Sequence, residues 1–254
     1  MAALPPLYAH RLGRHDGPDN SRAALRATLS EQVDGLETDV CLTADGRAVL
    51  LHEPWLSAAT DLDGWAHQTP WSRLRHARLR DRAGACGDET PMLLEELLDA
   101  TPAGLVLQLD VKAHGDPALA RATSAAIARV VAAAGPESGH RARPRVEVLS
   151  FHSAACEEAA AHGLRARLVT WADYAPGALV RWARRAGVDG VCIEHFLLHP
   201  ALVARLRAGG LSVSTGTIDD ACIARRAADL GVDAITSDRP AALRRELAAQ
   251  QAAA

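Results

Sequence analysis

The sequence predicts a (β/α)8 barrel, and three observations carry that expectation. Short aliphatic or β-branched runs alternate with alanine-rich, arginine-dotted helical stretches along nearly all of the 254 residues. Eight such runs occur, the number a closed parallel barrel needs. No G-x-G-x-x-G or G-x-x-x-x-G-K-S/T loop follows the first run, which argues against the runner-up, an open doubly wound sheet. One domain spanning residues 1–254 accommodates all eight units.

In chain order, the expected strands are Leu7–Arg11, Asp34–Val40, Gly104–Val111, Val146–Phe151, Ala166–Trp171, Val188–Glu194, Leu211–Thr217 and Val232–Ser237. Ala48–His52 adds a hairpin strand after the second, because Asp45-Gly46 is a strong turn signal. Helices are expected over Ser21–Ser30, Pro117–Ala134, Ser153–His162, Pro176–Ala186, Pro200–Ala208 and Asp219–Leu230. Pro117, Pro176 and Pro200 sit near helix starts, while Gly163, Gly187, Gly209-Gly210 and Gly231 stop helices just before strands. Residues 54–91 interrupt this rhythm with Trp55, Trp65, Trp71, several histidines and many charges, and are read as an irregular excursion over one mouth of the barrel.

Composition narrows the function classes. Hydrophobic residues make up 48% and charged residues 23%, as in ordinary soluble proteins. With a net charge of −3 and no dense basic stretch, the chain is not expected to bind nucleic acid. The arginine-rich stretch 73–82 also carries His76 and Asp81 and reads as a solvated face. The five cysteines (Cys41, Cys86, Cys156, Cys192, Cys222) are odd in number and lack any Cys-x-x-Cys pair, which disfavours a disulfide framework or thiolate zinc site. The N-terminus lacks the basic and apolar regions of a signal peptide, and no apolar run reaches membrane-spanning length. A soluble cytoplasmic protein without an integral membrane segment is therefore expected.

The stretch Leu36–Glu53 carries the chemistry. Glu37 and Asp39 lie two apart, so on a strand they share one face. Folding back at Asp45-Gly46 brings His52 to within about one residue of Glu37 in register. Taken alone, this pattern fits an ordinary exposed hairpin equally well. Barrel chemistry, however, gathers at the C-terminal ends of strands, and several polar residues fall there together. His10 and Arg11 end the first strand, and Asp110 and Lys112 share a face at the end of the third. Three converging carboxylates, Glu37, Asp39 and Asp110, repel one another unless a cation sits among them. Oxygen ligands suit Ca2+ or Mg2+ better than Zn2+. Arg11 and Lys112 add positive charge, which points to an anionic small-molecule substrate such as a phosphodiester. His10 and His52 are then candidates for acid and base, and Trp171, at the end of its strand, suits a wall of the substrate pocket or the core equally well.

These residues bring a resemblance. The run from Ala9-His10-Arg11 to Pro18-Asp19-Asn20-Ser21 resembles the opening His-Arg-Gly…Pro-Glu-Asn-Thr of glycerophosphodiester phosphodiesterases. Leu36–Glu53 is similar to that family's Glu-x-Asp-Val…Asp-Gly…His-Asp block, and Thr90-Pro91 to Leu98 to its Pro-x-Leu-x-Glu helix start. Leu109–Lys112, Leu149–Phe151 and Gly231–Pro240 resemble its later motifs, in the same order. The resemblance implies one divalent cation held by Glu37, Asp39 and Asp110, catalysis by His10 and His52, and phosphate held by Arg11 and Lys112. It implies hydrolysis of a glycerophosphodiester to glycerol 3-phosphate and an alcohol, with a glycerol hydroxyl attacking first. The alternatives are phospholipase-D-like action on a lysophospholipid or another phosphodiester, and a barrel that binds phosphate without turnover. Five departures stand out. Leu12 is inserted before Gly13, Asp19 replaces the Glu of Pro-Glu-Asn, Glu53 replaces Asp after the second histidine, Asp110 replaces Glu, and Gly216 stands where Trp is usual.

Overall fold

The computed structural model describes residues 4–15, 17–135, 144–170 and 175–252. In chain order the elements are β1 (Leu7–Ala9), α1 (Arg22–Leu29), β2 (Gly35–Leu42), β3 (Ala48–Leu50), α2 (Leu56–Ala59), α3 (Trp71–Leu74), α4 (Leu94–Ala100) and β4 (Val106–Val111). They continue with α5 (Pro117–Ala133), β5 (Arg145–Ser150), α6 (Ser153–Ala161), β6 (Arg165–Thr170), α7 (Pro176–Ala186), β7 (Gly190–Ile193), α8 (Pro200–Ala208), β8 (Ser212–Thr215), α9 (Ala221–Asp229), β9 (Ala234–Ser237) and α10 (Pro240–Ala252). Parallel pairing runs from β1 through β9, β8, β7, β6, β5 and β4 to β2, and β2 pairs back onto β1. That closure makes the expected eight-stranded (β/α)8 barrel. β3 lies outside the ring, antiparallel to β2.

Local chemistry accounts for the elements. Ser21, Asp116 and Asp220 each accept hydrogen bonds from the first-turn amides of α1, α5 and α9. Pro117, Pro176 and Pro200 occupy first helical positions, as their fixed φ allows. The β2–β3 hairpin closes through Thr43 N–H to the Arg47 carbonyl at 2.9 Å, with Gly46 at φ +76°. That left-handed position is one glycine takes without strain. The expected first strand stops two residues early: His10–Leu12 form a single 3-10 turn, with Arg11 at φ +50° and Leu12 at φ +63°. The Arg11 amide is thereby freed from the sheet. α10 was not among the expected helices. Its alanine-rich sequence shows little periodicity, yet Leu243 and Leu247, one turn apart, are fully buried. Among the described residues no helix is long and apolar enough to cross a membrane.

Residues 54–91 have a small core of their own. On β2 the face that carries Glu37 and Asp39 continues to Cys41, which with Val49 and Leu51 packs against Leu56, Ala66, Leu74, Ala77, Leu79 and Leu93. The hairpin's other face, Val40, Ala48 and Leu50, belongs to the main core.

The barrel's lower interior holds a polar network. Glu147 on β5 accepts from Arg167 Nε at 2.9 Å and from Gln108 Nε2 at 3.1 Å, and Arg167 Nη1 donates to Ser212 at 2.8 Å. Glu147 is 3% exposed and Arg167 5%. Gly190 makes room for this arrangement: a Cβ there would lie 2.4 Å from Ser212 Oγ and 2.8 Å from Arg167 Nη1. Burial opposes ionisation of Glu147, but the charge and hydrogen bond of Arg167 and the bond from Gln108 hold its carboxyl below the ordinary value. A depressed carboxyl stabilises the fold above its unfolded-state pKa, and that contribution disappears as pH falls through the native value. Glu147→Gln should therefore cost roughly 3–5 kcal/mol at pH 7 by leaving Arg167 buried without its counter-charge. In urea unfolding, the gap between parent and variant should narrow as pH drops below about 4. A gap that stays constant with pH would contradict this account.

Candidate active site

The C-terminal ends of β1, β2, β4 and β9 converge at one point of the barrel mouth. The registers Glu37↔Gln108 and Asp39↔Asp110 put Asp39 and Asp110 side by side on adjacent strands, with Glu37 one inward position below. Oxygens of Glu37, Asp39 and Asp110 all lie within 4.8 Å of one another, and all three side chains are buried. The structure thus brings together the three carboxylates that the sequence singled out, and Asp110, although a methylene shorter than Glu, reaches the group.

The surrounding residues answer the crowding. Lys112 Nζ bridges Asp110 Oδ2 at 2.6 Å and Asp39 Oδ1 at 2.9 Å. Asn20 Nδ2 donates to Asp39 Oδ2 at 2.9 Å, while its own Oδ1 accepts from Thr38. The Arg11 amide donates to Glu37 Oε2 at 3.0 Å, and Arg11 Nε lies 3.7 Å from Asp39. The Arg11 guanidinium is anchored on Asp19, which also pairs with Arg14 Nε at 3.2 Å.

Two imidazoles flank the cluster, each held by a carboxylate. His10 Nδ1 lies 2.5 Å from Asp238 Oδ1, which leaves Nε2 facing Glu37 at 3.9 Å. Asp238 is in turn fixed by Asp219, which accepts from its backbone amide at 2.8 Å. His52 Nδ1 lies 2.6 Å from Glu53 Oε1, so the longer Glu still reaches the ring. The register Val40↔Leu50 sets His52 opposite Thr38, one residue from Glu37 as expected.

Electrostatics register the crowding. Burial and the neighbouring Asp39 charge push Glu37 up to about 7. Burial likewise raises Asp110, against the pull of Lys112. Asp39 goes the other way: burial opposes its ionisation, but Lys112, His52 and Arg11 hold it well below the usual carboxylate range. Lys112 is raised despite burial by Asp110 and Asp39. His10 is raised because the bond from Asp238 and the nearby carboxylates outweigh burial, whereas burial, reinforced by Lys112 and Arg11, lowers His52 despite the pull of Asp39.

A hard divalent cation fits these residues. The donor set is all oxygen, and Asp110 Oδ1 is buried without any hydrogen-bond partner. A carboxylate pushed up to about 7 by burial and by the Asp39 charge marks a place where positive charge would be accommodated.

Several contributors escaped the sequence reading. Asp238, Asn20, Asp19 and Thr217, whose hydroxyl lies 3.5 Å from His10 Nδ1, were given no role. Asp238 was accessible to the strand-end rule, for it directly follows β9. Gly216 packs against Thr236, with a Cβ there only 2.8 Å from Thr236 Cβ, so this backbone leaves no room for a larger side chain. Trp171 lies outside the described residues.

Comparison with known proteins agrees with this geometry. A family model described as the glycerophosphoryl diester phosphodiesterase family matches residues 10–242. Glycerophosphodiester phosphodiesterase 1 of Mus musculus is 33% identical over 116 residues, a stretch covering 44% of this chain and 35% of that protein. The chain thus matches only about a third of the length of that relative. The probable glycerophosphodiester phosphodiesterase 2 of Mycobacterium tuberculosis is 29% identical over 241 residues, covering 92% of this chain and 86% of the relative. Among solved structures, an Oleispira antarctica phosphodiesterase in complex with the product sn-glycerol-3-phosphate superposes with a TM-score of 0.82 at 26% identity, covering 95% of this chain and 96% of that one. These relatives carry the names of phosphoric diester hydrolases, and the family match runs from the first site histidine to beyond Asp238. The chain belongs to the glycerophosphoryl diester phosphodiesterase family.

Proposed function

We propose that the chain hydrolyses a glycerophosphodiester to glycerol 3-phosphate and an alcohol. The observation that supports this most is the buried Glu37–Asp39–Asp110 cluster flanked by two carboxylate-held histidines. In this reading Glu37, Asp39 and Asp110 hold one Ca2+ or Mg2+. When bound, the cation supplies Lewis-acid polarisation of a phosphoryl oxygen and offsets the charge of the carboxylates.

The protein's own groups do the rest. Lys112 and Arg11 draw the anionic diester to the cluster, and Arg11 is held in place by Asp19. Occupation of each histidine's Nδ1 by a carboxylate leaves Nε2 to exchange a proton with substrate. One imidazole takes the proton of the attacking glycerol hydroxyl, the other gives a proton to the departing alkoxide, and water then opens the resulting cyclic phosphate to glycerol 3-phosphate. Loss of a histidine or of a carboxylate would favour binding without turnover, and none is lost here.

Purified protein should release glycerol 3-phosphate from glycerophosphodiesters in Ca2+ or Mg2+ and lose that activity in EDTA. Unchanged turnover in EDTA would remove the cation from the account. His10→Ala and His52→Ala should each lower kcat by roughly 10²–10⁴-fold, and a variant with near-parent kcat would exclude that residue from acid/base work. Asp238→Asn should lower kcat less than His10→Ala, with KM little changed. A lysophospholipid assayed beside the water-soluble diesters tests the lipid alternative, which Phe196, 67% exposed just past β7, favours.

A further inference from the structure

The arginine-rich stretch 73–82 is not one uniform surface face. Arg80 turns inward, donating from Nε to the carbonyls of Ser57 at 3.0 Å and Thr60 at 2.9 Å, and from Nη1 to Gly84 at 2.8 Å. Asp81 closes the turn that follows: its side chain accepts from the amides of Ala83 and Ala85, both at 2.9 Å, and its carbonyl accepts from Gly84. Arg82 therefore projects from a turn pinned at both ends. It shares one pocket with Arg11, Arg14 and His52, and its charge helps hold Asp238, the partner of His10, below the ordinary carboxyl value.

The acids lining that pocket are already engaged. Asp19 pairs with Arg11 and Arg14, Glu53 holds His52, and Asp81 is committed to turn amides. Among the described residues, Arg82 makes no ion pair and no hydrogen bond. An exposed guanidinium carried on a pinned turn beside His52, without an ion pair among the described residues, is matched to an anionic group that arrives with substrate.

We propose that Arg82 is a specificity-determining residue, receiving a second anionic group, a carboxylate or phosphate, on the alcohol moiety of the diester. This rests on the phosphodiesterase reading above. Substrates with a carboxylate-bearing alcohol are then favoured over those with a purely cationic alcohol such as choline.

The test compares kcat/KM for glycerophosphoserine and glycerophosphocholine in the parent, Arg82→Ala and Arg82→Lys, scored by release of glycerol 3-phosphate. The parent should prefer the serine diester. Arg82→Ala should lower the serine-to-choline ratio roughly two- to fivefold, chiefly through KM for the serine diester, as expected of an exposed charge pair. Arg82→Lys should restore part of that ratio, since it keeps the charge but not the planar fork. Turnover of both diesters with the same ratio in parent and Arg82→Ala, or an equal loss on both, would overturn the assignment while leaving the phosphodiesterase reading intact. Release from neither diester by the parent would overturn that reading, and this one with it.

Discussion

Three carboxylates buried within 4.8 Å of one another are the constraint around which the rest of the mouth is arranged. Such a cluster is costly unless positive charge or hydrogen bonds compensate it. Lys112 supplies one charge, bridging Asp39 and Asp110 from the position just past β4. Asn20 and the Arg11 amide supply hydrogen bonds, and both come from the loop after β1. That loop takes unusual backbone to do so, with Arg11, Leu12 and Asn20 all at positive φ. The inserted Leu12 is compatible with this because its side chain is fully buried in the main core. The compensation is incomplete, since Glu37 is still pushed up to about 7 and Asp110 Oδ1 still lacks a partner. An incompletely compensated oxygen cluster of this kind could hold a metal ion.

The barrel separates this chemistry from its own stability. One layer below Asp39 and Asp110, Gln108, Glu147 and Arg167 form a polar network to which Arg165 adds a second ion pair. The same strands carry both layers: β4 contributes Gln108 below and Asp110 above. Above the rim, the hairpin face that carries Cys41 and Val49 anchors the small core of residues 54–91. That core carries the Arg80–Gly84 turn beside His52, so a segment that in sequence resembles a charged surface loop lines the same pocket as Arg11 and His52.

Much of this was legible in the sequence. Period-two spacing put Glu37 and Asp39 on one face, and Asp45-Gly46 set the hairpin register that delivers His52. The strand-end rule located His10, Asp110 and Lys112. Asp238 follows the same rule but was passed over, because its role depends on β9 closing the ring against β1, a contact more than 220 residues away in sequence. Asn20 stood in the Pro18-Asp19-Asn20-Ser21 run without a role, because a buried amide bridging Thr38 and Asp39 leaves no periodic trace. Arg82 was hidden for the opposite reason, since five neighbouring arginines look alike until the fold shows which of them has a partner.

The central claim is that Glu37, Asp39 and Asp110 together hold one divalent cation, and calorimetric titration of metal-free protein with Ca2+ and with Mg2+ tests it most directly. The account predicts one binding site per chain for at least one of these ions, lost or strongly weakened in Asp110→Asn. No binding of either ion by folded protein, or binding unchanged in Asp110→Asn, would contradict it.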